Sequence, residues 1–395
     1  DPRLLPERLS AETITAWLAG TQPPADRVLT TAALFWNEFR AGQVTQLLRD
    51  IRQAMNQGSA PGIALSVAVF PEPSAAYLEN GQEWQAWASE GLVDGLYPMA
   101  YFGDSDRVTN QLREIATHTP RSPKVALWAG LGASDNGPEL LGEEARIAGE
   151  YGYEGVSIFS LGHLLKEDIA PAITKAVRAP RRAPAPKAEP LTTASAALHP
   201  PDLQTLKAIV GKALGGAPLA DDLEARLAKR LEEYEQARQQ TIPNTLKQLE
   251  SAPIILPISL ELGGIFRYAN PMDSPSRWQE QESLCEKARQ RLLAGEELAL
   301  VAKELSQDGT RTLDGLLGPR FLDPLNPQDQ ELAKLAPQGI SPVMRVANGF
   351  WCYRVENRNP GGQMTFTDAP WEAKRILFRK ALSEINSGRT HTPRR

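Results

Sequence analysis

Cysteine, histidine, aromatic residues and long apolar runs are all scarce in this chain of 395 residues: it has 2 cysteines and 4 histidines, and aromatics make up 7%. Each scarcity closes off a class of answer. Cys285 and Cys352 are too few for a disulfide framework and allow one bridge at most. His118, His163, His199 and His391 stand far apart, and no two share the spacing of a metal site. Charge of one sign is missing as well. The 43 basic and 48 acidic residues are interspersed, and a net charge of -5 gives no footprint for nucleic acid. No stretch reaches the about 20 apolar residues of a membrane span, and no signal peptide is visible. The glycine turn GLGAS at 130–134 lacks a P-loop or dinucleotide fingerprint, so it reads as a plain strand-to-helix turn and no cofactor is expected.

What is present has a rhythm. Four short apolar runs, GIALSVAVF (62–70), GLYPMAYF (95–102), KVALWAGLG (124–132) and GVSIFSL (155–161), recur at about the 30-residue period of a βα unit. Runs so continuously apolar suit strands of a parallel sheet covered by helices. The segment 43–57 sets Val44, Leu47, Leu48, Ile51 and Met55 on one face at helical spacing. Segments 82–89, 105–118 and 142–151 supply further helices, and 27–34 leaves room for one more strand. The fold class expected is α/β. A closed eight-stranded barrel takes about 250 residues, and only 1–178 precede a break in composition, so the expectation is the C-terminal half of a (β/α)8 barrel. A small complete α/β domain is the alternative.

The remainder divides legibly. Residues 179–201 are rich in Pro and Ala with almost no large apolar side chain, which makes them a semi-rigid linker. Residues 202–253 show helical periodicity, with Leu206, Ile209, Leu223, Leu227, Leu231 and Tyr234 among charges. Residues 254–358 mix strand-like runs with helices, and 359–395 hold a last helix and a short tail.

In a parallel barrel the functional side chains lie at the C-terminal ends of strands. That rule selects Glu72, Met99, Tyr101, Asp104, Trp128 and Ser160. Trp36, Trp84 and Trp87 add to an aromatic content suited to stacking on sugar rings, or to plain core packing. Asp94 begins its strand and is expected to be structural.

The stretch WNEFR (36–40), the strand ALSVAVFP, QEWQAWASEGLVDGLYPMAY and GYEGVSIFSL together resemble the C-terminal half of a bacterial glycosyl-hydrolase-like barrel family that includes an enzyme acting on peptidoglycan glycan. The resemblance implies a glycan groove in which Tyr101 lines the catalytic subsite. Glu72 and Asp104 are the carboxylates best placed beside it, and Trp36, Arg40, Trp84, Trp87, Met99, Trp128 and Ser160 would bind substrate. Glycoside hydrolysis takes two carboxyl groups flanking the bond. The family's acidic motif, an Asp followed by Arg-Tyr-Pro, does not occur in this sequence, which puts catalysis in doubt.

A second resemblance begins at about residue 259. QESLCEKARQRLLAGEELALVAKELSQDGTRTLDGLLG followed by LAPQGISPVMRVANGFWCYRVENR looks like a parvulin-type peptidyl-prolyl isomerase domain. In that family two strands each carry a histidine. Phe266 and Trp351 stand at the corresponding places here. The resemblance implies an α+β domain whose apolar pocket survives without its hydrogen-bond network, binding extended polypeptide or serving as a structural module, with little isomerase activity. The helices on either side resemble the arms of extracytoplasmic chaperones.

The expectation is a partial barrel plus a separate α+β parvulin-like domain with flanking helices. The function expected is a glycoside hydrolase acting on cell-wall or similar glycan, and the alternative is a non-catalytic envelope protein binding glycan or polypeptide. Both resemblances place the chain outside the cytoplasm, with neither nucleic acid nor a membrane span involved.

Overall fold

A computed structural model of the chain describes residues 2–6, 9–57, 63–101, 105–119, 125–133, 137–160, 171, 173–174, 202–214, 222–269, 275–346 and 348–386. The expected linker, 179–201, lies outside them. The contacts divide the chain into two compact units, one of Pro6–Gln22 with Arg27–Tyr234 and one of Asp1–Leu5, Pro23–Asp26 and Glu235–Arg395.

In the first unit, α1 (Ala11–Ala19) starts at Ser10, whose side chain accepts from the Thr13 amide, and stops at Gly20 in the left-handed conformation. Next comes α2 (Pro24–Gln57), a helix of 34 residues. A strand was expected over 27–34, and the structure corrects this. Thr30, Leu34, Asn37, Ala41, Thr45 and Leu48 are all buried, a 4-3-4-4-3 spacing that runs one helical face through the segment where a strand was expected. Thr31 fits this helix by returning its hydroxyl to the Arg27 carbonyl while accepting from Trp17 Nε1.

Three βα-type repeats and a fourth strand follow: β1 (Ser66–Val69), α3 (Pro73–Asn80), α4 (Trp84–Ser89), β2 (Gly95–Ala100), α5 (Ser105–His118), β3 (Ala126–Gly132), α6 (Pro138–Glu150) and β4 (Gly155–Phe159). The strands are parallel and lie in sequence order, β1-β2-β3-β4. Alternate strand residues, Val69, Leu96, Ala100, Leu127, Ala129 and Leu131, join Leu48, Trp84, Trp87, Leu112, Ile115 and Leu141 in one core. Side chains alternate across a sheet, so all these helices cover one face. The other face carries Ser66, Ala68, Tyr97, Met99, Trp128 and Ser157, and it is covered by none of them. The sheet is open, with β1 and β4 at its edges, so a closed (β/α)8 barrel is not present among the described residues. Further along the chain, α7 (Leu203–Ala213) and α8 (Leu223–Gln236) bury Leu206, Ile209, Val210 and Leu227. The buried Arg230 donates to the Trp17 carbonyl at 2.9 Å and pairs with Glu233, which also takes Arg27.

The second unit continues through a π-helical turn at Ala237–Thr241 into α9 (Ile242–Glu250). The short β5 (Ile254–Ile255) pairs with β10 (Gln363–Met364). The main sheet is antiparallel and is built from β6 (Ser259–Tyr268), β7 (Leu316–Phe321), β8 (Met344–Val346) and β9 (Gly349–Asn359) in the order β7-β6-β9-β8. Between β6 and β7 run α10 (Pro275–Leu293) and α11 (Leu298–Leu305), and α12 (Pro327–Leu332) and α13 (Trp371–Asn386) complete the unit. One face of the sheet packs Ile265, Phe350 and Cys352 against Cys285, Ala288, Leu292 and Val301 of the helices. The other gathers Leu260, Leu262, Leu332, Met344, Tyr353 and Val355, with Trp351 at its margin.

Candidate functional site

Two aromatic faces emerge, one in each unit. On the uncovered face of the parallel sheet, Tyr97 stacks on Trp128 with ring centroids 5.8 Å apart, and Tyr101 stacks on Phe159 at 5.4 Å. The second pair reaches across a whole strand. Tyr101 directly follows β2, Phe159 ends β4, and the β3 residue between them is Gly132, where a Cβ would press to 3.1 Å from that of Tyr101. With no side chain in the way the rings meet, and they remain 38% and 62% exposed. Burial among these neighbours raises the Tyr101 phenol above its ordinary value. Met99 and Ser160 are half-buried nearby in sequence.

The other residues expected in a glycan groove are placed elsewhere. Trp84 and Trp87 are 1% and 2% exposed, sunk in the core of the helix-covered side, with their ring N–H groups donating to the Phe70 carbonyl and to Thr45 Oγ1. A ring so enclosed has no face to offer a sugar. Glu72 is the N-cap of α3, its carboxylate accepting from the Ser74 and Ala75 amides. Arg40 donates to Asn37 Oδ1 and the Leu78 carbonyl. Trp36 stacks on Phe39 of its own helix, α2, in the helical layer rather than on the open face. Asp104 lies outside the described residues, as do His163, His199, His391 and the His118 side chain. Asp94 accepts from the Leu65 amide and pairs with Arg52 at 2.7 Å. Burial opposes its charge, but these two partners outweigh it and hold the carboxyl below its ordinary range.

A polar cluster in this unit gave no sequence signal. Lys212 of α7 bonds Glu38 at 2.8 Å and Glu83 at 2.7 Å. The Tyr77 hydroxyl donates to Glu38 at 2.7 Å, and Thr45 links Glu83 to Trp87. Burial, then the Glu38 charge, raises the Tyr77 phenol well above its ordinary value. For Lys212 burial works against the charge, but Glu83 and Glu38 prevail and its pKa is raised. Its members pair with one another, so the cluster reads as a fastening of α7.

The second face lies on the antiparallel sheet. Phe266 of β6 and Trp351 of β9 are register partners with centroids 4.9 Å apart. Trp351 stacks in turn on Tyr353 at 5.2 Å, and Phe266 meets the edge of Tyr268 at 6.5 Å. A Cβ at Gly264 would close to within 3.3 Å of both Trp351 and Leu317, so the glycine is what brings Leu317 of β7 beside this row. Phe266 is fixed through its backbone: its amide donates to Ser306 Oγ, and its carbonyl accepts from Gln307. Ser306 in turn donates to Asp308. Burial, reinforced by Asp329 and Asp308 against Arg320, pushes the Tyr353 phenol up to about 12. Phe266 offers neither donor nor acceptor and Trp351 only an N–H donor, so the pair cannot relay protons.

Among the described residues no group of three or more His, Cys, Asp or Glu is placed to hold a metal ion, and no helix is long and apolar enough to cross a membrane.

No family model matches the chain, and no curated protein does either. Among solved structures, a PpiC-type peptidyl-prolyl cis-trans isomerase domain overlaps at 21% identity and a TM-score of 0.23, covering 27% of this chain and 94% of that one. The peptidylprolyl isomerase PrsA from Bacillus cereus overlaps at 15% identity and a TM-score of 0.25, covering 47% of this chain and 66% of that one. A chain from work on two SurA-like chaperones of Campylobacter jejuni overlaps at 19% and 0.22, covering 48% and 82%. Overlaps this shallow say nothing of what the chain binds. None of these three is a glycosyl-hydrolase barrel.

Proposed function

We propose that the chain is a chaperone-like protein of the cell envelope that holds extended polypeptide and does not isomerise it. The observation that supports this most is the Phe266–Trp351 pair, standing where the parvulin family it resembles carries two histidines. Phe266 is buried at 7% exposure and backs Trp351, which is half-buried and supplies the flat apolar surface. Each 100 Å² of apolar area covered by a bound segment is worth about 2.5 kcal/mol, and the exposed edge of β7 adds unpaired backbone groups beside the row. Lowering a rotation barrier of about 18–20 kcal/mol is a different task, needing hydrogen bonds aimed at the twisted amide, which this pair cannot supply.

The test is suppression of aggregation. Light scattering of a chemically unfolded, aggregation-prone polypeptide is followed with wild type and with the Phe266→Ala/Trp351→Ala variant. The proposal expects suppression by wild type and its loss in the variant. Equal suppression by both, or none by either, refutes it.

Glycan binding is the second reading, and one observation favours it: the exposed Tyr101–Phe159 stack at the C-terminal end of a parallel sheet. Hydrolysis lacks comparable support. It needs two carboxyl groups, Glu72 is committed to its helix cap, and the family's acidic motif is absent from the sequence.

A further inference from the structure

The aromatic face of the antiparallel sheet is the exposed half of a longer apolar strip. Trp351 stacks on Tyr353 with planes 10° apart, and Tyr353 leads into the cluster of Leu262, Leu332, Met344 and Val355 on the same side of the sheet. Tyr353 and Met344 are 6% and 7% exposed, whereas Trp351 is half-buried and Leu317 beside it is 42% exposed. The element over the buried half is α12, six residues whose Leu332 is fully enclosed. We propose that α12 is a strap that sets the length of polypeptide this face takes: it seals the Tyr353 half and confines a bound segment to about four extended residues laid across the strands. The inference rests on the polypeptide-binding reading for its occupant and adds the class of segment that fits.

The strap is stitched to three of the four strands by polar groups. Asp329, itself buried, takes Arg320 of β7 at 2.6 Å. Gln328 Nε2 donates to the Arg345 carbonyl of β8 at 2.7 Å, and Arg358 of β9 donates to the Ala333 carbonyl just past the helix at 2.7 Å. A helix this short does not hold itself together in water, so these ties and Leu332 decide where it lies. Because they reach both outer strands, β7 and β8, the strap spans the full width of the sheet.

The direction of the bound segment follows from what remains open. Phe266 and Trp351 are register partners, Met344 is the partner of Trp351 on its other side, and Leu317 reaches the row over Gly264. These groups line up across the strands. Four strands about 4.8 Å apart span about 14 Å, the reach of about four extended residues. A segment running instead along β9 from Trp351 meets the enclosed Tyr353 and the helix over it.

Fluorescence anisotropy with labelled peptides of increasing apolar length tests this on the full chain, wild type and Gln328→Ala/Arg358→Ala, which removes two ties and leaves the Asp329–Arg320 pair intact. Wild-type affinity is expected to rise up to about four residues and then level. The variant should go on gaining, by about tenfold for the longest peptides as Tyr353 becomes a further anchor, with far-UV circular dichroism unchanged. Wild-type affinity that keeps rising with length overturns the proposal, and so does a variant that levels at the same length. Hydroxyl-radical footprinting without peptide, read by mass spectrometry, separates the strap from its occupant: Tyr353 and Met344 should be protected in wild type and oxidised in the variant, with Trp351 oxidised in both. If wild type binds no peptide of any length, the polypeptide-binding reading falls, and the footprint still decides the strap, since equal protection of Tyr353 in both chains refutes it. If the double variant does not fold, Gln328→Ala alone, at an exposed tie, is read in the same way.

Discussion

Phe266 and Trp351 face each other across the two central strands of the antiparallel sheet, ring centroids 4.9 Å apart and planes tilted by 35°. The pairing sets two large apolar rings side by side, and it is held from behind by the Ser306 hydroxyl on the Phe266 amide.

Isomerase activity is expected to be absent. In a protease-coupled or NMR exchange assay on a short X-Pro peptide, the chain should leave the cis-to-trans rate at its uncatalysed value, tens to hundreds of seconds at about 25 °C. A rate enhancement that disappears in Trp351→Ala would assign catalysis to this face after all.

The two cysteines should be inert in the folded protein. Burial raises both thiols, Cys352 up to about 12, in a core shared by α10 and β9. A thiol-reactive chromogenic reagent at mildly alkaline pH is expected to label neither until denaturant is added, and both afterwards. Prompt labelling of native protein would mean that this core opens locally.

Lys212 should stabilise the first unit at neutral pH. Replacing it by Met leaves Glu38 and Glu83 without their shared cation, at a cost of about 2 kcal/mol for partly buried pairs. Because its folded pKa is raised, the contribution is fully present below the unfolded lysine value of about 10.4 and is lost as pH rises through the folded value. Urea titrations of Lys212→Met and wild type should differ at neutral pH and converge in strong alkali. A gap that persists there makes the role one of packing alone.

Sequence made the strands of the parallel sheet legible because their apolar runs are continuous, and the later helices because charges interrupt them at regular steps. It misled at 27–34, where Val28, Thr30 and Thr31 favour strand locally but the buried face of α2 continues through them. Composition also drew Trp84 and Trp87 into a groove. A tryptophan on a helix reads the same whether it faces the sheet or a ligand, and only packing separates the two. The Lys212 fastening could not be read at all, since Lys212 and Glu38 lie 174 positions apart. Phe266 and Trp351 were reached through resemblance, and only the strand register shows that the two are neighbours.

The most direct test of polypeptide binding is a fluorescence anisotropy titration of a labelled extended peptide with apolar and aromatic side chains against wild type and Phe266→Ala/Trp351→Ala. Loss of a central aromatic anchor, Trp351, together with the buried Phe266 ring that backs it typically costs about 2 kcal/mol or more, about thirtyfold in Kd. Saturable binding weakened by that order is the predicted result. No binding by wild type, or equal affinity in the variant, contradicts the account.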